Sequence, residues 1–184
     1  MKKSVQDLNT YKTPEGFRGR SAVTVQLWWL VQATLFALSP QFFYGWRRFL
    51  ARSFGAKIGK NVLLRPSVKM TYPWKISIGD NSWIGDDVVL YSLGEIEIGS
   101  NTVISQRSYI CTGSHNYTNS TFPIYSKKNK IGNQCWIATD VFVSPGVTID
   151  DGAVVGARST VTKNIEAYTI NIGSPSKKVK NRLD

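Results

Sequence analysis

His115 is the single histidine of a 184-residue chain, and histidine is the side chain that offers a neutral base near pH 7 without a large pKa shift. It stands in Thr112-Gly113-Ser114-His115-Asn116-Tyr117, at the mouth of the one polar stretch that interrupts an otherwise regular pattern. One histidine cannot build a three-histidine zinc site. Cys111 and Cys135 are too few for a disulfide framework, and reduced, buried thiols in a cytosolic setting are expected. Basic residues outnumber acidic ones, 23 to 12, for a net charge of +11. They cluster at Arg47-Arg48-Arg52, Lys127-Lys128-Lys130 and Lys177-Lys178-Lys180-Arg182. None of these clusters has the interleaved aromatics of a single-strand binding surface, and no helix-turn-helix or zinc-finger pattern occurs, so nucleic acid is not an expected partner. A phosphate-bearing small ligand or an anionic membrane surface accounts for the charge instead.

The element that must position His115 is legible from spacing. Aliphatic residues recur every six positions: Ile58, Leu64, Met70, Ile76; then Ile78, Ile84, Leu90, Ile96; then Ile98, Ile104, Ile110. After a break they resume at Ile131, Ile137, Val143, Ile149, Val155 and Val161. Four positions after most of them stands a small or β-branched residue, among them Ser82, Thr102, Ser108, Cys135 and Ala153. A helix needs a period near 3.6 and a strand near 2, so a period of six fits neither alone. It fits a parallel β-helix in which each hexad forms one side of a three-sided coil. Coil starts at Ile58, Ile78 and Ile98 are 20 residues apart; those at Ile131, Ile149 and Ala167 are 18 apart. The first spacing leaves a two-residue bulge at a corner. Between Ile110 and Ile131 about 13 residues more than the pattern needs must bulge outward, and long excursions from rigid scaffolds carry function.

The expected organisation is 1–55, a polar tail and an aromatic helical cap, followed by 56–184, the β-helix with a loop insertion at 116–130 and a basic C-terminal tail. The start, MKKSVQDLNTYKTPEG, lacks the apolar core of a signal peptide. From Ser21 to Trp46 there is no charge. Three readings stand for this stretch: a helix that caps the open end of the coils, a helix lying in a membrane interface, or a membrane span at the lower limit of length. In the interfacial reading Trp28, Trp29 and Trp46 sit at headgroup level, with Arg47, Arg48 and Arg52 towards phosphates.

The stretches TGSHNY, KIGNQCWIATDVFVSPGVTIDDGAVVGARSTVTKNI and IGSPSKKVK resemble the hexapeptide-repeat O-acetyltransferases of the maltose and galactoside acetyltransferase group. FGAKIGKNV, YPWKISIGDNSWIGD, LYSLGEIEIG and ISQRSYICTGSHNY are similar to its exopolysaccharide (colanic acid) biosynthesis branch. The resemblance covers nearly the whole chain. It implies an all-β fold, a left-handed parallel β-helix with an N-terminal helical segment, assembled as a homotrimer with the cleft between neighbouring prisms. It also implies transfer of acetyl from acetyl-CoA to a sugar hydroxyl, with a free or lipid-linked glycan as acceptor and a site of action at the cytoplasmic side of the membrane. N-acetylation of an amino-sugar nucleotide, or a non-catalytic binding protein on the same scaffold, are the alternatives.

Carried over by position, the resemblance makes His115 the general base. Trp136, Thr139, Ala157, Thr162 and Lys163 would line the acetyl-CoA channel, and Lys177 and Lys180 would meet the nucleotide phosphates. Two departures concern the acceptor. His115 is followed by Asn116 where the family usually has proline, and the region of Gly85-Asp86-Asp87 lacks the family's asparagine. Asp87 and Tyr91 are the residues left to orient the acceptor. No metal is expected.

Overall fold

A computed structural model describes residues 5–184. Three parallel sheets wind into a β-helix. The first holds Lys57–Ile58, Ile76–Ile78, Ile96–Ile98, Asn129–Ile131 and Thr148–Ile149. The second runs Leu63–Leu64, Trp83–Ile84, Val103–Ile104, Trp136–Ile137, Val154–Val155 and Thr169–Ile172, and Lys177–Asn181 folds back antiparallel at its edge. The third holds Lys69–Met70, Val89–Tyr91, Tyr109–Cys111, Phe142–Val143 and Thr160–Val161. The hexad residues pair in register across coils, Ile58 with Ile78, Ile78 with Ile98, Ile98 with Ile131 and Ile131 with Ile149. All of them are buried and form one core.

The small-residue slots complete the wall. Ser82 Oγ donates to the Gly99 carbonyl and accepts from the Thr102 N–H. Thr102 Oγ1 does the same for Gly132 and Cys135, and Ser108 Oγ for Ala138 and Val141. A hydroxyl ladder thus satisfies corner peptides that are buried away from water. Stacking is close enough to forbid side chains at some corners: a Cβ on Gly99 would stand 2.6 Å from the Gly132 carbonyl carbon.

One coil start differs from the spacing. Ile165, not Ala167, bridges to Ile149, and Ala167 is exposed. The last corner is two residues shorter, so Asn171 enters the aliphatic column beside Val155, its amide held by Thr169 Oγ1.

A stack of coils leaves unpaired peptide groups at its open ends. At the first coil they are met by the N-terminal helices α1 (Ala22–Val31) and α2 (Tyr44–Ser53), joined through a π-helical turn at Gln32–Phe36. Ser21 caps α1 by accepting from the Thr24 N–H. Trp28 and Phe36 are fully buried against Leu64 and Met70 in the common core. The Trp28 indole donates to Met70 O at 2.8 Å, and Gln32 Oε1 accepts from the Met70 N–H. Arg52 donates to Ile58 O and Gly59 O, Arg48 to Val62 O and Arg47 to Leu64 O.

Trp28 and Arg47, which the interfacial reading would place at a membrane, are both buried. Arg47 is 0% exposed, and its guanidinium also donates to Ser39 Oγ, Pro40 O and Gln41 O. Burial pulls its pKa below the ordinary arginine value, and these acceptors hold the charge in place. Among the described residues no helix is long and apolar enough to cross a membrane, so the spanning reading is not met.

The cap generates a stability prediction. Arg47→Ala orphans several buried carbonyls at once and should lower the unfolding free energy by about 3 kcal/mol. Arg48→Ala, with one partner, should cost about 1 kcal/mol or less. Urea denaturation of both variants checks the difference; equal losses contradict the capping role.

Candidate active site

The interruption of the coils is a hairpin. After Tyr109–Cys111 the chain leaves the third sheet, and Gly113–His115 pairs antiparallel with Ile124–Ser126. Its root is fixed by Asn129, which is fully buried. The Asn129 amide donates to Cys111 O, where the chain departs, and its Oδ1 accepts from the N–H groups of Gly146 and Val147 on the next coil. Gly113 lies against Leu93 and Tyr91, with no room for a Cβ. The tip is built from two Asx turns, Asn116 accepting from Thr118 and Asn119 from Thr121.

His115, half-buried, is held on two sides. Its Nδ1 lies 2.9 Å from the carbonyl of Phe122, and the Phe122 ring stacks on the imidazole at 4.3 Å and 9°. A carbonyl only accepts, so in the neutral ring Nδ1 carries the proton and Nε2 keeps its lone pair. Phe122 reaches this position with φ +48°, a left-handed conformation uncommon for a bulky residue. Such local strain clusters at functional sites. An open depression of ≈ 400 Å³ follows, lined by His115, Asn116, Tyr117, Thr118, Tyr125 and Lys127.

The other sequence-derived positions fall into separate groups. Tyr91 lies under the hairpin root, where its carbonyl accepts from the Thr112 N–H and hydroxyl. Burial pushes its phenol pKa up, and that of Tyr109, 5.8 Å away ring to ring, up to about 12. Both remain neutral hydroxyls at physiological pH. Thr162 and Lys163 are exposed just after Thr160–Val161, on the corner from which the hairpin springs one coil pair earlier.

Asp87, Thr139 and Ala157 stack on a different corner, between the second and third sheets. There Asp87 and the residues following the other two, Asp140 and Arg158, adopt positive φ. The Asp87 N–H donates to Ser67 Oγ, Thr139 Oγ1 donates to Gln106 O, and the N–H of Arg158 donates to Thr139 O. Trp136 projects outward from the second sheet, half-exposed, its indole on Ser105 Oγ. It pairs with Val154, Val154 with Ile170, and Ile170 with Lys180; a bulge brings Lys177 opposite Ile172. Paired strand residues share a face, so Trp136, Lys177 and Lys180 share the outer face of one sheet. A single chain therefore places Tyr91 under the root of the hairpin that carries His115 but leaves Asp87 and the Trp136–lysine face on other parts of the prism.

Several residues of the site carried no signal in the sequence. Phe122 looked like any loop aromatic, because its role is made by backbone direction. Tyr11, in the polar N-terminal stretch, comes within 6.1 Å of the His115 ring, and the Asp7 N–H donates to Ser120 O on the hairpin tip. Neither thiol offers a nucleophile: both are buried, and burial raises Cys111 and pushes Cys135 to about 11.

Residues 130–163 match the family "Bacterial transferase hexapeptide (six repeats)". The chain is 58% identical to the "Putative colanic acid biosynthesis acetyltransferase WcaF" of Escherichia coli K12, over 98% of this chain and 99% of that one. A crystal structure of a maltose O-acetyltransferase from Clostridium difficile 630 superposes with TM-score 0.76 at 27% identity, covering 93% of this chain and 90% of that one. Galactoside acetyltransferase in complex with coenzyme A superposes with TM-score 0.81 at 26% identity, covering 92% and 84%. With repeats, fold and near full-length identity in agreement, the chain belongs to the hexapeptide-repeat acetyltransferases and is a transferase enzyme.

Proposed function

We propose that this enzyme moves acetyl from acetyl-CoA to a hydroxyl of a sugar in the making of an exopolysaccharide or another surface glycan, on the cytoplasmic side of the membrane. The observation that carries the reading is the hydrogen bond from His115 Nδ1 to Phe122 O, which leaves Nε2 as a base at an open depression. A sugar hydroxyl is a poor nucleophile until a positioned group takes its proton in the transition state. His115 Nε2 accepts that proton as the oxygen attacks the thioester carbonyl, and then returns it to the departing sulfur. Nδ1–H stays on Phe122 O throughout, so the imidazolium forms with its orientation unchanged. With both thiols buried, transfer is direct, and no acetyl-enzyme is invoked.

Acetyl-CoA supplies the activated acetyl group, and the outer face of the second sheet suits its shape and charge. Trp136 offers an apolar surface for the pantetheine arm, with Thr139 and Ala157 on the adjoining corner. Lys177 and Lys180 offer cations to the phosphates, and Thr162 and Lys163 extend the track on the far corner. On the acceptor side stand Tyr91, with Tyr11 across His115 and Lys127 over the Tyr125 ring: aromatic planes and hydroxyls that suit a pyranose. Asp87 would complete the acceptor site only from a neighbouring chain. That separation of groups over the prism supports a closed threefold trimer, in which the hairpin of one prism faces the sheet of the next.

Two measurements test the reading. His115→Ala should lower kcat for sugar acetylation by about 10²- to 10⁴-fold with little change in CoA binding; activity within threefold of the parent rejects the base. Lys177→Ala and Lys180→Ala should each raise KM for acetyl-CoA about tenfold and leave the acceptor KM in place. If coenzyme lacking the 3′-phosphate distinguishes parent and variants no less than the complete coenzyme does, the contact lies elsewhere on the molecule.

A further inference from the structure

The outer surface of the N-terminal cap has no role in the reaction above and is unlike the rest of the molecule. Leu38 is 80%, Phe42 74% and Phe49 57% exposed. With Leu35, Phe43 and Trp46 they form one ledge: Trp46 stacks on Phe49 at 5.7 Å, Phe42 meets Phe43 at 4.9 Å, and the Trp46 indole donates to Leu35 O. An open groove of ≈ 490 Å³ runs between Leu35, Leu38, Phe43 and Trp46. The helices need only their inner sides for capping, so these side chains are surplus to the fold. Contiguous apolar surface of this kind marks an interaction site.

Charge identifies the partner. Between Glu15 and Asp80 the chain carries ten basic residues and no acidic one. Some are spent internally: Arg47 is buried, Arg65 pairs with Asp86, and Lys75 donates to Phe17 O and Leu93 O. Lys57, Lys60 and Lys69 remain exposed on the first coil, directly behind the cap, and none takes part in the ion pairs found among the described residues. Arg20 adds a further exposed cation just before α1. An apolar end backed by exposed cations outside the ion pairs complements a surface that is apolar within and anionic at its rim.

We propose that this ledge docks on an anionic lipid bilayer, with Leu38, Phe42 and Phe49 entering the acyl boundary and Lys57, Lys60 and Lys69 at the headgroups. Apolar insertion and a basic patch together give reversible peripheral binding. Docking stands apart from the acetyl-transfer reading, since neither side chains nor geometry are shared with His115.

The test is co-sedimentation of the full chain with phosphatidylglycerol–phosphatidylethanolamine vesicles, compared with phosphatidylcholine vesicles. The protein should pellet with the anionic vesicles at low salt and be released as salt rises to about 0.5 M. Leu38→Ser and Phe42→Ser, exposed positions that leave the core intact, should each weaken partitioning about tenfold. Lys57→Glu with Lys60→Glu should weaken it on anionic vesicles only. CoA binding is measured on the same samples, so a failure of docking and a failure of catalysis are read separately. Absence of pelleting, or pelleting that the Leu38 and Phe42 variants leave unchanged, overturns the proposal. A fall in the mass of the lipid-free assembly in those variants also overturns it, because it assigns the face to a second copy of the chain.

Discussion

Everything in this molecule hangs on the register between successive coils. Each aliphatic side chain is buried only because the one above and the one below point inward at the same place, as Ile78, Ile98, Ile131 and Ile149 do. Side chains on a strand alternate in direction, so a slip of one residue would turn a whole column to solvent. The wall adds a second demand, since the Ser82, Thr102 and Ser108 hydroxyls reach their carbonyls only at the same register. Insertions are tolerated at corners alone, and only if the chain returns in phase.

The hairpin meets that condition through Asn129. One buried amide joins the point of departure at Cys111 to the following coil at Gly146 and Val147, so the excursion starts from a rigid root. On that root the strained Phe122 turns its carbonyl to His115. The same rule of register explains why functional groups lie on different faces. A coil can change its outward residues freely, but it cannot bring one corner to another, so a site needing both must draw on two prisms. At the first coil the rule fails for want of a neighbour, and arginine and indole donors from the N-terminal helices supply what the missing coil would.

The core was legible in the sequence because a period of six has one geometric solution, and every hexad residue from Ile58 to Val161 is inward. The final corner was not, because Asn171 breaks the aliphatic pattern and a shortened turn leaves no mark in composition. The uncharged stretch from Ser21 to Trp46 shows that something apolar must be met, but spacing does not divide Trp28 from Leu38: one closes the coil, the other faces out. Arg47 is hard to place from sequence for a related reason. Its charge suggested solvent, yet the unpaired carbonyls of an open sheet edge are a stronger claim on a guanidinium. At the site, His115 stood out by being alone in the chain. Its orienting partner did not, since a backbone carbonyl belongs to every residue and only a left-handed φ at Phe122 aims this one. Tyr11 was hidden for want of any signal linking the first residues to a loop a hundred positions away.

The central claim is that the hairpin fixes His115 with Nδ1 protonated and Nε2 free. Because the chain contains one histidine, nitrogen NMR of the labelled protein observes that ring without overlap. In the neutral imidazole the proton should reside on Nδ1, with Nε2 resonating as a bare, pyridine-like nitrogen. A neutral ring protonated on Nε2 would contradict the account, since Nε2 would then have no lone pair with which to take a proton.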